Sequence, residues 1–200
     1  MTSISNFNMQ APAFAGVIGK PNLSIASESP ADSWARERLL DEAFGAARSD
    51  NTAERLREGR LPAPGLALAA TDAGDLVGTL RMWHVLAGEV PALLLGPLAV
   101  VKAYRSRGIG RRLMAEALLR AASAGHKAVL LVGDAAYYEP FGFSRRHTLG
   151  LSLPGPVDEA CFLGLELKDG ALKAARGFVI AAGARDLPAY RGAIEFRRAA

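Results

Sequence analysis

The chain predicts an α/β domain built on a mixed sheet, and three observations carry that expectation. An apolar strand, Leu93–Val101, leads through an Arg/Gly-rich turn into an amphipathic helix, Gly108–Ala124. A second apolar strand, Ala128–Val132, follows that helix at once, and a strand–helix–strand unit of this kind is expected to be a right-handed parallel crossover. Upstream, two strand-like runs separated by Thr71-Asp-Ala-Gly74 read as an antiparallel hairpin. A 200-residue chain suits one domain and buries roughly 70% of the surface its unfolded form exposes, so it needs no covalent staples.

Taken in order, residues 1–21 have no hydrophobic period and read as an irregular N-terminal arm, with the domain proper over 22–182 and a charged, unpatterned C-terminal arm over 183–200. Leu23–Ala26 predicts a short strand. Ser29–Gly45 predicts a helix: Pro30 suits its first turn, Asp32 and Ser33 are cap candidates, and Trp34, Leu39 (or Leu40) and Phe44 give an apolar stripe. Asn51–Glu58 predicts a shorter helix, capped by Asp50 or Asn51 and stopped by Gly59. The hairpin strands are Gly65–Ala70 and Leu76–Leu86. Leu93–Val101 is apolar on both parities, as a central strand covered on both faces should be. In the next helix Ile109, Leu113, Ala117 and Ala121 recur near helical spacing, and Gly125 terminates it. Ala135–Pro140 supports at most a helical turn, and strands are expected near Phe143–Leu151 and Ala160–Leu167.

Composition narrows the function classes. The formal charge is +4, but no run of Lys and Arg of the kind that marks nucleic-acid binding occurs. The longest apolar run, Val90–Val101, is too short for a membrane span and contains two prolines. The start of the chain lacks a basic n-region, so the cytoplasm is the expected compartment. The single cysteine, Cys161, excludes an internal disulfide and reads as a small buried hydrophobe.

The chemistry-bearing segment is Arg105-Ser106-Arg107-Gly108-Ile109-Gly110 at the start of the amphipathic helix. A strand feeding a glycine turn at a helix N-terminus is an anion site, because free backbone N–H groups converge there and the helix dipole adds positive charge. Gly108 and Gly110 remove Cβ atoms so that an anion can approach the backbone, and Arg105, Arg107, Arg111 and Arg112 supply counter-charge. The string is not a P-loop, which needs a Lys-Ser/Thr pair after its second glycine. Nor is it a dinucleotide fingerprint, which needs a third glycine where Leu113 stands.

The pattern R-x-x-G-x-G resembles motif A of the GNAT superfamily of acyl-CoA N-acyltransferases, and the chain looks like a bacterial N-acetyltransferase of that kind. The resemblance covers about Leu23–Leu167 as a fold and has motif force over Leu93–Phe143. It implies a mostly antiparallel central sheet flanked by helices and splayed at the strand that takes acetyl-CoA. It implies that the backbone of Leu98, Ala99 and Val100 pairs with pantetheine, and that Arg105, Ser106, Arg107, Gly108, Ile109, Gly110 and Arg111 hold the pyrophosphate. Gly96-Pro97 interrupts this otherwise central strand and is expected to help open the sheet. Tyr138-Glu139-Pro140-Phe141-Gly142-Phe143 matches the family's Tyr-x-x-x-Gly-Phe, which makes Tyr138 the expected general acid for the departing thiolate, with Tyr137 beside it as the rival for that position. Where many family members carry an asparagine after the preceding strand, this chain has Gly133-Asp134, and Asp134 is expected to cap the following turn.

The implied reaction transfers the acetyl group of acetyl-CoA, as co-substrate and without a metal, to an unidentified primary amine by direct attack in a ternary complex. A non-catalytic acyl-CoA-binding module and a transferase using a longer acyl-CoA are the alternatives. No nucleic-acid or membrane partner is implied, and a homodimer is compatible with the family's habits. The position where some members carry a glutamate on the motif A strand is Leu94, which cannot act as a base. His84 reads as a core histidine, Glu89 as a turn residue, and His126 and His147 as loop or strand-edge residues, so no base is named. In the family the acceptor is shaped by the segments matching Ser29–Gly59 and Leu151–Ala160.

Overall fold

The computed structural model describes residues 23–45 and 52–186. The arm expected over 1–21, most of the one over 183–200, and the cap position at Asp50 or Asn51 lie outside the described residues. The elements are β1 (Leu23–Ser27), α1 (Ser33–Phe44), α2 (Thr52–Arg55), β2 (Ala67–Asp72), β3 (Asp75–Ala87), β4 (Val90–Val100), α3 (Ile109–Ser123), β5 (Ala128–Val132), α4 (Ala135–Tyr138), β6 (Leu151–Ser152), β7 (Phe162–Glu166) and β8 (Gly177–Ala181).

The sheet runs β1-β2-β3-β4-β5-β7, with β8 on the distal half of β3 and β6 on β8. All its pairings are antiparallel except β4–β5 and the short β6–β8 pair. The expected mixed sheet with a parallel β4–α3–β5 crossover is therefore what forms. The hairpin turn between β2 and β3 places Ala73 and Gly74 both at positive φ, the conformation that matches the twist of the flanking strands.

Each face of the sheet carries its own core. On one face Ile109, Leu113, Met114, Ala117 and Ala121 of α3 pack on Leu80, Met82, Leu93 and Val129. On the other, Trp83, Val85, Leu94 and Leu130 pack with Ala53 and Leu56 from the α2 region and with Phe162 of β7. Leu39 and Leu40 of α1 cover Ala99 of β4. Because β4 and β5 contribute to both cores, neither parity of their sequence can be polar, which is why both read as continuous apolar runs.

Several local expectations are corrected. The first helix begins as a 3₁₀ turn, Pro30–Asp32, capped by Ser29, whose N–H is bound in return by the Asp32 carboxylate at 2.7 Å. Ser33 is thus the first residue of α1 and not its cap. The apolar stripe is also different, since Trp34 and Phe44 are 70% and 50% exposed while Leu39 and Leu40 are buried. Arg38 stacks on Trp34, which satisfies the ring without burying it. The second helix is only the single turn Thr52–Arg55. The strand expected near Phe143–Leu151 is a 3₁₀ turn, Arg145–His147, between an isolated bridge at Ser144 and the two-residue β6. Cys161 is half-buried and ends a 3₁₀ turn before β7, rather than lying inside a strand. Strand β8 has no counterpart among the expected elements.

One buried ion network ties the edge of the sheet to its centre. Glu28, just after β1, accepts from Arg36 of α1 and from Arg81 of β3, the latter at 2.8 Å through Nε. The Glu28 and Arg36 side chains are 7% and 9% exposed. Taking away the carboxylate removes the acid that holds Arg81 and leaves Arg36 with Glu37, in a poorly hydrated place. Glu28→Gln is expected to cost about 3 kcal/mol in urea denaturation, measured as a lowered midpoint at unchanged slope.

Candidate active site

Midway along β4 the ladder changes. Leu80 pairs with Leu98 and Met82 with Leu95, so the single residue Arg81 faces the two residues Gly96 and Pro97 in a β-bulge. On the opposite edge β4 meets β5 only at Leu93 and Leu94. Beyond Leu94 the two strands part, and the edge of β4 from Leu95 to Val100 is open among the described residues. The expectation that Gly96-Pro97 opens the sheet agrees with this pairing: proline brings no N–H to the ladder, and the bulge bends the strand.

The bulge is held by side chains. Trp83 donates its buried indole Nε1–H to the Gly96 carbonyl at 2.6 Å. Arg57 lies against the same residue, its Nη1 3.3 Å from where a Cβ on Gly96 would stand. Arg81, opposite the bulge, is bound to Glu28.

Past the bulge, Val101 N–H donates to the Val77 carbonyl at 3.0 Å. Hydrogen bonding alternates along an antiparallel strand, so Ala99 turns its backbone groups toward β3 while Leu98 and Val100 turn theirs to the open side. Val100 accepts there from Arg105 Nε at 3.2 Å. The strand then leads through a 3₁₀ turn to the loop at Arg105–Gly108. Gly108 is the N-cap of α3 at φ +78°, a conformation glycine takes without strain, and no side chain caps the helix. The first intrahelical bond runs from Arg112 N–H to the Gly108 carbonyl at 3.0 Å, so the preceding amides of the first turn have no partner within the helix. Ile109 is buried in the core below, which leaves only its backbone to face a ligand.

These elements surround one cleft of about 1230 Å³. All of Arg105, Ser106, Arg107, Gly108, Ile109, Gly110 and Arg111 line it, as do Leu98, Val100 and Tyr138. Of the expected residues, Ala99 and Arg112 do not: the Ala99 side chain is buried beneath α1, and Arg112 is exposed outside the cleft. Tyr137 and Tyr138 have different surroundings. A Cβ on Gly110 would lie 2.6 Å from the Tyr137 hydroxyl, so Tyr137 reaches over to the first turn of α3. Tyr138 lies against Gly133, where a Cβ would stand 2.4 Å from its Cε2, and meets the Phe143 ring edge-on. Burial pushes the Tyr138 phenol up to about 12, with Tyr137 and Asp134 adding to the shift. Burial raises Tyr137 as well, opposed by Arg111. Asp134 caps α4 by accepting from Ala136 N–H at 3.1 Å, as expected.

On the other wall, sequence reasoning named the segment Ser29–Gly59 but none of its residues. Glu37 and Phe44 of α1, Glu54 of α2, and Arg57 and Arg81 also line the cleft, although no motif marks them. The loop Leu151–Ala160 does not line it. It supports α2 from behind, with Thr52 Oγ1 donating to the Pro156 carbonyl at 2.7 Å. His84 stands outside the cleft with its ring 5.3 Å from that of His126, and Glu89 is exposed in the β3–β4 turn. Among the described residues no group of three or more His, Cys, Asp or Glu could hold a metal ion, and no helix is long and apolar enough to cross a membrane.

A mixed sheet parted beside an uncapped, arginine-rich helix start defines a class, that of the acyl-CoA N-acyltransferases of GNAT type. The comparisons agree with it. Residues 63–145 match the family model for the acetyltransferase (GNAT) domain. The uncharacterized N-acetyltransferase YhbS of Escherichia coli K12 is 33% identical over 159 residues, which is 78% of this chain and 93% of that protein. The uncharacterized N-acetyltransferase YjhQ of the same organism is 30% identical over 129 residues, covering 60% and 71%. The crystal structure of E. coli YhbS in complex with CoA has a TM-score of 0.69 at 32% identity, covering 84% of this chain and 94% of that one. A GNAT family acetyltransferase from Brucella melitensis in complex with acetyl-CoA has a TM-score of 0.56 at 27% identity, covering 72% and 87%. The chain belongs to the GNAT N-acetyltransferase family.

The tight seat of Tyr138 on Gly133 can be probed directly. Gly133→Ala is expected to displace the ring at a cost of about 1–3 kcal/mol, read as a lowered urea midpoint together with a changed near-ultraviolet tyrosine signal.

Proposed function

We propose that this protein transfers the acetyl group of acetyl-CoA to a primary amine by direct attack within a ternary complex. The observation that carries the reading is the open edge of β4, whose outward backbone groups at Leu98 and Val100 run straight toward the uncapped start of α3. Pantetheine carries amide groups that can complete such an edge as a further strand would. The pyrophosphate is an anion for which the amides from about Arg107 to Arg112 are donors, with Arg105, Arg107 and Arg111 as counter-charges. The CoA and acetyl-CoA held by the two related crystal structures support the same co-substrate here.

With the cofactor so aligned, the thioester end lies toward the bulge, and a backbone N–H of β4 polarises its carbonyl as charge develops on the oxygen. Holding both substrates in one cleft supplies most of the rate by removing the entropy cost of their encounter. Tyr138 protonates the departing thiolate. Its burial beside the opening supports this role, because a phenol raised to about 12 retains its proton throughout the neutral range and is available as a donor. Tyr137, leaning on Gly110, is suited instead to the phosphate end.

Isothermal titration tests the cofactor site: acetyl-CoA and CoA bind the wild type at micromolar concentration, and Gly108→Glu, which sets a carboxylate at the anion site, abolishes binding. A folded wild type that binds neither overturns the reading. Tyr138→Phe is expected to keep acetyl-CoA affinity within about twofold and to lower amine-dependent thiol release by about 100-fold. Since the phenol titrates only near 12, the wild type's turnover should show no loss of this acid below about pH 10.

A further inference from the structure

Two faces of the sheet meet at the place where β4 and β5 part. Tyr138 packs with the core beneath α3. The α2 segment packs on the opposite face, its Ala53 and Leu56 set in the cluster that contains Trp83, Leu94 and Leu130. A group on α2 and a group on α4 that both line the cleft therefore reach the opening from opposite sides. On α2 that group is Glu54.

Glu54 is not a free surface acid. Its Oε2 accepts from Arg57 Nη2 at 2.7 Å, and the Arg57 side chain is only 8% exposed while that of Glu54 is 37% exposed. Arg57 in turn lies against Gly96, the bulge residue whose carbonyl Trp83 holds. The arginine is thus fixed in the wall, and through it a carboxylate is oriented toward the open cleft beside the bend in β4. Glu37, the other acid of this wall, is tied to Arg36 on α1, over the stretch of β4 beyond the bulge. Between these paired charges the same wall contributes apolar side chains to the cleft: Ala53, Trp83, Leu40 and the half-exposed Phe44.

From this arrangement, and resting on the transfer reading above, we infer that Glu54, positioned by Arg57, is the acceptor-side catalytic carboxylate, and that the acceptor is a primary amine on an apolar carbon body. The ammonium form binds the carboxylate and gives one proton to Glu54. The freed nitrogen lone pair forms the C–N bond at the thioester carbonyl. The C–S bond then breaks with its electron pair going to sulfur, which takes the Tyr138 proton. The second proton on the new amide nitrogen returns through cleft water to the Tyr138 phenolate, and Glu54 releases its proton to solvent. The sum is amide, free thiol and one proton, with no other reactant. Attack from the α2 face and protonation from the α4 face keep acid and base apart, so neither quenches the other. This supplies a carboxylate that β4 itself lacks at Leu94.

The test uses the full chain, acetyl-CoA and phenethylamine as the probe acceptor, with thiol release as the readout. The wild type is expected to turn the probe over with a kcat/KM that stays level within about threefold from pH 6.5 to 8.5, because the ammonium form is the one that binds. Glu54→Gln should lower kcat/KM about 100-fold at pH 7 and make it rise about tenfold per pH unit, since the variant must wait for free amine. Acetyl-CoA affinity should stay within about twofold, which also certifies the fold. Glu54→Asp should recover part of the rate and the level profile. Arg57→Lys, a change at the positioning residue, should retain acetyl-CoA binding and lose the level profile. A Glu54→Gln variant with wild-type kcat/KM and profile overturns the assignment. A wild type that binds acetyl-CoA but releases no thiol with phenethylamine overturns the acceptor class, and one that binds no acetyl-CoA overturns the transfer reading and this inference with it.

Discussion

The structure turns on the interruption of one hydrogen-bonded ladder. Strand β4 is central, and a central strand ordinarily satisfies its backbone on both edges. Here it keeps β3 along its whole length but gives up β5 after Leu94, leaving the outward groups of Leu98 and Val100 without strand partners. Such an edge is unfavourable unless water or a ligand completes it. The fold holds it open through the bulge at Gly96-Pro97, and fastens the bulge with the Trp83 indole and the Arg57 side chain. Every feature of the cleft lies on or beside this departure: the anion loop at its far end, Tyr138 on one face and Glu54 on the other.

Electrostatics divides the cleft into two unlike halves. At the start of α3 the charge is of one sign, with Arg105, Arg107 and Arg111 around an uncapped helix end, and nothing acidic among the lining residues of that loop. Toward α1 and α2, acids and bases are interleaved and paired, with Glu37 on Arg36 and Glu54 on Arg57. The first half carries a positive field, which favours an anion. The second presents charges that are already compensated, so it adds little net field.

How much could be read beforehand differs between these halves for a physical reason. The anion loop is local: strand, turn, glycines and helix start are contiguous from Leu93 to Ala124, and backbone donors at a helix N-terminus need no distant partner. The same is true of the Asp134 cap and of the Tyr138–Phe143 turn. The opposite wall is assembled from α1, α2 and β3, which are separated in sequence and meet only through packing. Glu54 and Arg57 look like an ordinary helical i, i+3 pair on the surface, and only the tertiary fold buries the arginine. Trp34 and Phe44 show the opposite error, since their helical spacing implied burial but the covering residues are Leu39 and Leu40.

The sequence by itself determined the family, the β4–α3–β5 crossover, the hairpin and the arginine-glycine loop, because each is written in contiguous residues with their own backbone preferences. Tertiary structure alone decided where the ladder is released, which tyrosine leans on Gly110 and which on Gly133, and which acids line the cleft. These depend on contacts between residues far apart in the chain, such as Trp83 with Gly96 and Arg57 with Gly96. Local propensity and periodicity carry no information about such contacts until the core has closed around them.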